Sequence, residues 1–78
     1  PTLSLAGVLD GAIVGTAVTL TFSATDTHLD TVAATLDGFA LTSGDSVSAD
    51  GPHTWTVVAT DRAGNSSTET RSFRIDTV

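Results

Sequence analysis

Histidine is the residue type best suited to acid–base chemistry near neutral pH, and this sequence has two, His28 and His53. His28 lies in the segment TDTHLD between Asp26 and Asp30, where a solvated loop is favoured over a weak metal or acid–base cluster. His53 begins an apolar segment, which is typical of a packing and hydrogen-bonding residue. No serine lies in a G-x-S-x-G motif, and Glu69 is the single glutamate. We therefore expect no catalytic residues.

Carboxylates end two similar segments, SATD at Asp26 and VATD at Asp61. Calcium needs about six to eight oxygen ligands, usually including several carboxylates, and neither loop has the spacing of an EF-hand. The run from Asp61 to Gly64 is instead typical of a type I turn, in which the acid accepts backbone N–H groups. The turn is the favoured interpretation. Asp26 and Asp61 remain calcium candidates if their strands face each other across the fold.

Short β-strands must position these residues, because apolar and polar residues alternate with a period of two. Two core strands are predicted, with inward positions Val18, Leu20, Phe22 and Ala24 in the first and His53, Trp55, Val57 and Ala59 in the second. Between them, inward residues Val32, Ala34 and Leu36 lead to a hairpin turn at Asp37–Gly38. Further short strands are expected around Leu3, Leu5, Val47, Phe73 and Ile75.

About seven such strands, with turn residues every 8 to 12 positions or so, predict an all-β chain that folds as a two-sheet sandwich around a shared core. A barrel is the alternative. At 78 residues the chain forms one small domain.

Composition excludes several classes of partner and site. The chain has three arginines, nine acidic residues and a net charge of −6, so it repels phosphate backbones and we expect no nucleic-acid partner. It has no cysteine, which excludes disulfides and thiolate metal sites. Its most apolar runs, residues 17–24 and 55–59, are far shorter than the roughly 20 residues of a membrane helix. Membrane insertion is not expected, and an export signal would lie outside this segment.

Residues 50–76, DGPHTWTVVATDRAGNSSTETRSFRID, carry an acid–glycine turn, an aromatic strand, an A-x-D-x-A-G-N turn and a closing ID. With these motifs the second half of the sequence resembles bacterial immunoglobulin-like repeat domains. The matching positions are Asp50, Gly51, Ala59, Asp61, Ala63, Gly64, Asn65, Ile75 and Asp76. The first half, VTLTFSATD and ATLDG, fits more loosely. The resemblance implies an immunoglobulin-like β-sandwich of about seven antiparallel strands in a Greek key, as a single domain over residues 1–78.

The resemblance also carries expectations about particular residues. Many relatives have a tyrosine where this chain has His53, so the hydroxyl hydrogen bond of a tyrosine corner is either replaced by an imidazole bond or lost. The ends, PTLSL and FRIDTV, resemble the junction between tandem repeats. We therefore expect residues 1–78 to be one repeat of a longer exported protein. Asp76, beside that junction, is the third calcium candidate.

The function implied is that of a non-catalytic spacer or stalk repeat in a bacterial cell-surface or secreted protein, with neighbouring domains of the same chain as partners. The alternative is an adhesive module that binds a glycan or a protein receptor, with Phe39 as the aromatic ring that alternation leaves outside the core. A third interpretation is an accessory domain of a secreted hydrolase. No cofactor is expected; calcium is the single candidate, and the turn interpretation of Asp61 is favoured over it.

Overall fold

The computed structural model describes residues 1–77 as two β-sheets packed face to face; Val78, which ends the predicted domain, lies outside the described residues. The eight strands are β1 (Thr2–Ala6), β2 (Ala12–Val14), β3 (Val18–Thr25), β4 (Leu29–Leu36), β5 (Phe39–Ala40), β6 (Asp45–Val47), β7 (Gly51–Asp61) and β8 (Ser66–Ile75). One sheet has the order β1-β3-β6 and the other β2-β8-β7-β4-β5. Two separate sheets confirm the predicted sandwich and exclude the barrel.

Alternation along the two longest predicted strands matches the structure. In β3 the apolar positions are buried or half-buried and the threonines and Ser23 are exposed. In β7 the predicted inward residues are all buried. Because β3 and β7 lie in different sheets, their apolar faces meet in the core. The buried apolar residues are Val8, Leu20, Ala34, Val47, Trp55, Val57, Ala59, Phe73 and Ile75.

The hairpin predicted at Asp37–Gly38 joins β4 to β5. Leu36 pairs with Phe39, so the turn has two residues. Asp37 and Gly38 have φ values of 53° and 86°. Positive φ at both central positions is the geometry of a type I′ turn, which glycine adopts without strain and aspartate tolerates.

Strand β2 is the main difference from the sequence prediction. It pairs in parallel with β8, from Ala12 opposite Phe73 to Val14 opposite Ile75, whereas antiparallel strands were expected. Three residues are too few to show a period of two, and the partner strand lies about sixty residues away, as these pairs show. Alternation alone therefore cannot predict this strand or its direction.

Strand β4 contains an irregularity near its start. Leu29 pairs with Asp61 and Thr31 pairs with Thr60, so Asp30 is an extra residue on β4. This two-against-one arrangement is a β-bulge, which bends the strand and interrupts its ladder.

The sandwich is elongated, with extents of 46 × 19 × 19 Å. Pro1 lies beside the start of β8, because its carbonyl accepts a hydrogen bond from Ser67 Oγ at 2.7 Å. Ile75, at the end of β8, pairs with Gly51 at the other end of the sheet. The described chain therefore enters and leaves at opposite ends. Residues 1–77 include no helix long and apolar enough to span a membrane.

Candidate functional site

Asp26 and Asp61 lie at the same end of the sandwich, because the two strands that precede them face each other across the core. Asp26 follows β3 in one sheet, and Asp61 ends β7 in the other. The two loops are joined directly, because the backbone N–H of Arg62 donates to the carbonyl of His28 at 2.9 Å. Two of the three calcium candidates therefore lie in adjacent loops.

Asp61 organises the turn that follows it. Its Oδ1 accepts hydrogen bonds from the backbone N–H groups of Ala63 and Asn65, both at 2.9 Å, and its Oδ2 accepts one from Asn65 Nδ2 at 3.2 Å. Gly64 N donates to the Asp61 carbonyl at 3.2 Å, which confirms the predicted turn. Burial raises the pKa of Asp61, but the bonds from Asn65 and Ala63 outweigh it, so the pKa is lowered.

Asp26 is held in a similar way. Its Oδ1 accepts the backbone N–H of His28 at 3.1 Å, and its Oδ2 lies 3.1 Å from the amino nitrogen of Pro1. The His28 N–H group is the main reason that the pKa of Asp26 is lowered. His28 itself is exposed just before β4, as predicted for a loop histidine.

Asp76 lies at the opposite end of the domain from Asp26 and Asp61. It follows β8, and its backbone N–H donates to the carbonyl of Val14 at 2.8 Å. The three calcium candidates are therefore divided between the two ends of one domain. Within residues 1–77 no group of three or more His, Cys, Asp or Glu side chains is placed to hold a metal ion. Calcium binding stays a prediction.

His53 is the centre of a buried polar cluster. Its ring is 8% exposed and stacks on Phe73, with centroids 5.2 Å apart. Nδ1 lies 2.6 Å from Asp37 Oδ2, and Nε2 lies 2.7 Å from the carbonyl of Ala49. The other carboxylate oxygen of Asp37 accepts the backbone N–H of Thr54 at 2.7 Å. The imidazole therefore makes the bond that the resemblance assigns to a tyrosine hydroxyl.

Two acceptors face the His53 ring, so both ring nitrogens donate in the protonated form. The bond to Ala49 is the main reason that the pKa of His53 is raised; burial lowers it, and the bond and charge of Asp37 raise it again. Burial raises the pKa of Asp37, but the bonds from His53 and from the Thr54 N–H outweigh this effect, so the pKa of Asp37 is lowered. Both nitrogens are occupied, and the cluster joins the β4–β5 turn to the β6–β7 loop.

Phe39 is 77% exposed on β5, as expected for the one aromatic residue outside the core. Trp55 and Phe73 are buried, and Phe22 packs partly buried against the core. Beside Phe39 is an open cleft of about 480 Å³ between β5 and β6, whose apolar lining includes Leu36, Leu41 and Val47. A single exposed ring beside such a cleft is the feature that an adhesive function would use.

Sequence reasoning missed the role of the aspartates that precede glycine. In each of three Asp–Gly pairs the carboxylate accepts a backbone N–H from a distant part of the chain: Asp10 from Ser72 at 2.7 Å, Asp37 from Thr54 at 2.7 Å and Asp50 from Thr77 at 3.1 Å. Asp–Gly marks a turn, and the carboxylate of a turn aspartate is a backbone acceptor. The repeated dipeptide was the available signal, although the sequence does not show which strand it bonds.

Arg71 has a structural role that was not predicted from the sequence, where this residue counted only toward the net charge. Its Nη1 donates to the carbonyls of Val8 at 2.8 Å and Leu5 at 3.3 Å, and its Nη2 lies 3.8 Å from Glu69. The guanidinium therefore connects β1 and the segment that follows it to β8. Its partners are carbonyl groups, which carry no recognisable sequence pattern.

Strand order, core and turns together define an all-β sandwich domain. The model of the bacterial Ig-like domain family matches residues 1–77, and the chain belongs to that family. Domains of this family are in general non-catalytic structural modules of extracellular or surface proteins. Comparisons with curated proteins and with solved structures gave no match.

Proposed function

We propose that this domain is a spacer or stalk repeat of a bacterial cell-surface or secreted protein. The observation that carries the proposal is the elongated shape with chain entry and exit at opposite ends, along a longest extent of 46 Å. A domain of this geometry lengthens the chain in which it is inserted. Its work is to hold a neighbouring domain at a distance.

The distribution of polar groups supports this function. The outward positions of β3 and β7 are largely threonine, including Thr19, Thr21 and Thr54. Their hydroxyl groups keep the outer faces of these strands hydrated and free of an apolar patch. The net charge of −6 keeps neighbouring copies soluble. The strongest polar cluster, at His53, is occupied by internal bonds. These features suit a domain that needs no ligand of its own.

An adhesive module is the second candidate, and Phe39 with its adjacent cleft favours it. Aromatic rings beside clefts are common contact points for ligands. The cleft is open and is rimmed by the Asp45 carboxylate, which already accepts the backbone N–H of Thr42 at 2.8 Å. A glycan would have to use the Phe39 ring and the loop residues around it.

A chemical-shift titration by NMR separates the two functions. The domain is titrated first with calcium chloride and then with a panel of glycans, beside the variants Phe39→Ala and Asp61→Asn. For a spacer we expect no localised shifts with glycans. Glycan shifts around Phe39 that disappear in Phe39→Ala would contradict the spacer and establish the adhesive module. Calcium shifts around Asp26 and Asp61 that Asp61→Asn removes would make the domain a metal-stiffened spacer.

A further inference from the structure

Three aspartates of this chain precede a glycine, which is the sequence in which aspartate rearranges most readily. The sites are Asp10–Gly11, Asp37–Gly38 and Asp50–Gly51. The backbone nitrogen of the glycine attacks the side-chain carboxyl carbon of the aspartate, and glycine has no side chain to block this attack. The carboxyl group loses its hydroxyl and the nitrogen loses its proton, which leave together as water while a succinimide ring closes. Water then opens the ring at either carbonyl, so the products are aspartate and isoaspartate.

Hydrogen bonds to the carboxylate oppose this reaction, because the carboxyl group must leave its partners and turn toward the following nitrogen. All three carboxylates accept bonds from distant parts of the chain, so the folded domain slows the reaction at each site. The partners differ in burial and in their place in the sheet. We therefore expect the three sites to react at different rates.

Asp37 is held by the buried cluster around His53. The His53 ring lies 2.6 Å from Asp37 Oδ2, and the backbone N–H of Thr54 donates to Oδ1 at 2.7 Å. The backbone N–H of Asp37 also donates to the Thr54 carbonyl at 2.9 Å. Both the side chain and the main chain of this aspartate are thus fixed to β7. Its release requires the buried His53 ring to lose a partner.

At Asp10–Gly11 a single residue of β8 holds both reacting groups. The backbone N–H of Ser72 donates to Asp10 Oδ1 at 2.7 Å, and the Ser72 carbonyl accepts the Gly11 N–H at 2.6 Å. The attacking nitrogen is therefore engaged as well as the carboxylate. Ser72 lies inside β8, so ring closure requires Asp10–Gly11 to separate from that strand.

Asp50 depends on a residue that lies beyond the last strand. Thr77 Oγ1 lies 2.8 Å from Asp50 Oδ1 and 3.0 Å from Oδ2, and the Thr77 backbone N–H donates to Oδ1 at 3.1 Å. Both residues are exposed, and β8 ends before Thr77, at Ile75. Residues outside a strand ladder open more readily than residues within it. Asp50 is thus the least firmly held of the three aspartates.

We propose that Asp50–Gly51 is the site at which the folded domain forms isoaspartate, and that the Thr77 hydroxyl restrains this reaction. The proposal goes beyond the spacer function and does not depend on it. Isoaspartate places the Cβ of residue 50 in the main chain, so the loop before β7 becomes one atom longer. The free carboxylate then starts from the Cα and is displaced from Thr77. The modification thus releases the residues after β8 from the β6–β7 loop.

Peptide mapping of the folded domain during storage at neutral pH measures the reaction at each site. A protease that cleaves before aspartate does not cleave before isoaspartate, so an uncut bond between Ala49 and Asp50 reports modification of residue 50. We expect isoaspartate to accumulate at residue 50 several-fold faster than at residues 10 and 37. In urea, which unfolds the domain and releases all of these bonds, we expect similar rates at the three sites.

Three variants test the role of the Thr77 hydroxyl. Thr77→Val removes the hydroxyl and keeps the shape of the side chain, so isoaspartate should form several-fold faster at residue 50 and at unchanged rates at residues 10 and 37. Thr77→Ser retains the hydroxyl and should react at the rate of the original chain. Thr16→Val is the matched control, because Thr16 is an exposed threonine after β2 and its exchange leaves the bonds between Thr77 and Asp50 in place. Thermal melting verifies that each variant is folded.

Faster isoaspartate formation at residue 10 or 37 of the folded domain would overturn the proposal. Equal rates at residue 50 in Thr77→Val and Thr16→Val would also overturn it. If residue 50 leads by the same factor in urea, its flanking sequence rather than the fold decides the rate, and the role of Thr77 is refuted. None of these outcomes affects the spacer function, which the glycan titration tests separately.

Discussion

His53 makes the stability of this domain depend on pH through one identifiable residue. Its pKa is raised above the ordinary value of 6.5, chiefly by the bond to the Ala49 carbonyl. A raised pKa means that the folded domain binds the proton more tightly than the unfolded chain does. The stabilisation is fully present below pH 6.5 and is lost as the pH rises through the folded pKa. We expect the thermal midpoint to fall as the pH is raised from about 6 upward.

The variant His53→Tyr tests this assignment, because it keeps an aromatic ring against Phe73 and removes the imidazole. Its thermal midpoint is expected to show no decline over the pH range in which His53 deprotonates. His28→Gln is the matched control, since His28 is exposed and should leave the decline unchanged. A decline that persists in His53→Tyr would assign the pH dependence to another group.

Trp55 is the largest fully buried side chain, at 0% exposure. Trp55→Ala should lower the free energy of unfolding by about 3–5 kcal/mol, because a core cavity replaces the indole. The indole Nε1 has no hydrogen-bond partner within residues 1–77, so Trp55→Phe removes an unsatisfied donor and should cost less. Urea denaturation measures both. Phe39→Ala is the control, with an expected change within about 0.5 kcal/mol because this ring is exposed.

At the residue scale, the sequence predicted the burial of side chains that follows from apolar–polar alternation, and it predicted the local turns. It placed Trp55 and His53 in the core, exposed Phe39 and assigned the Asp61 turn, all from neighbours within a few positions. It did not predict that Asp37 would bond His53, because that contact depends on the β4–β5 hairpin folding against β7. The sequence suggested an imidazole bond for His53 without identifying its acceptors.

Gly7 shows how one residue fixes the relation between two strands. Its φ is 122°, and a Cβ added there would collide with the Thr19 carbonyl oxygen. Gly7→Ala therefore combines an unfavourable backbone conformation with a collision against β3, and should lower the free energy of unfolding by more than about 1 kcal/mol. Gly15→Ala is the matched control, because the nearest atom to its added Cβ is 3.7 Å away. Equal urea midpoints for the two variants would contradict this account.

At the scale of elements, strand length decided what could be predicted. The long strands β3 and β7 repeat the apolar–polar alternation several times. The Asp37–Gly38 dipeptide directly indicates the β4–β5 hairpin. Strand β2 has only three residues, and its direction depends on a partner at the far end of the chain. Long-range pairing of this kind leaves no local pattern.

At the scale of the whole molecule, opposite ends for chain entry and exit predict an extended tandem array. Two copies joined head to tail should have a maximum dimension larger than that of one copy by close to a domain length, 46 Å. Small-angle X-ray scattering of the single and double chains measures this. A double chain with the maximum dimension of a single one would show that the copies fold back on each other, and would argue against a spacer.

The bulge at Asp30 affects how two copies of the domain meet at the edge of β4. Strand β5 pairs only with Thr35 and Leu36, so most of the outer edge of β4 has no neighbouring strand. Exposed edges are templates for intermolecular β-pairing, which leads to aggregation. Asp30 is an extra residue that distorts the hydrogen-bond ladder, and it carries a negative charge. Both properties make the edge of β4 a poor template for pairing with another chain. Neighbouring copies of this domain can thus lie side by side without joining their sheets through β4.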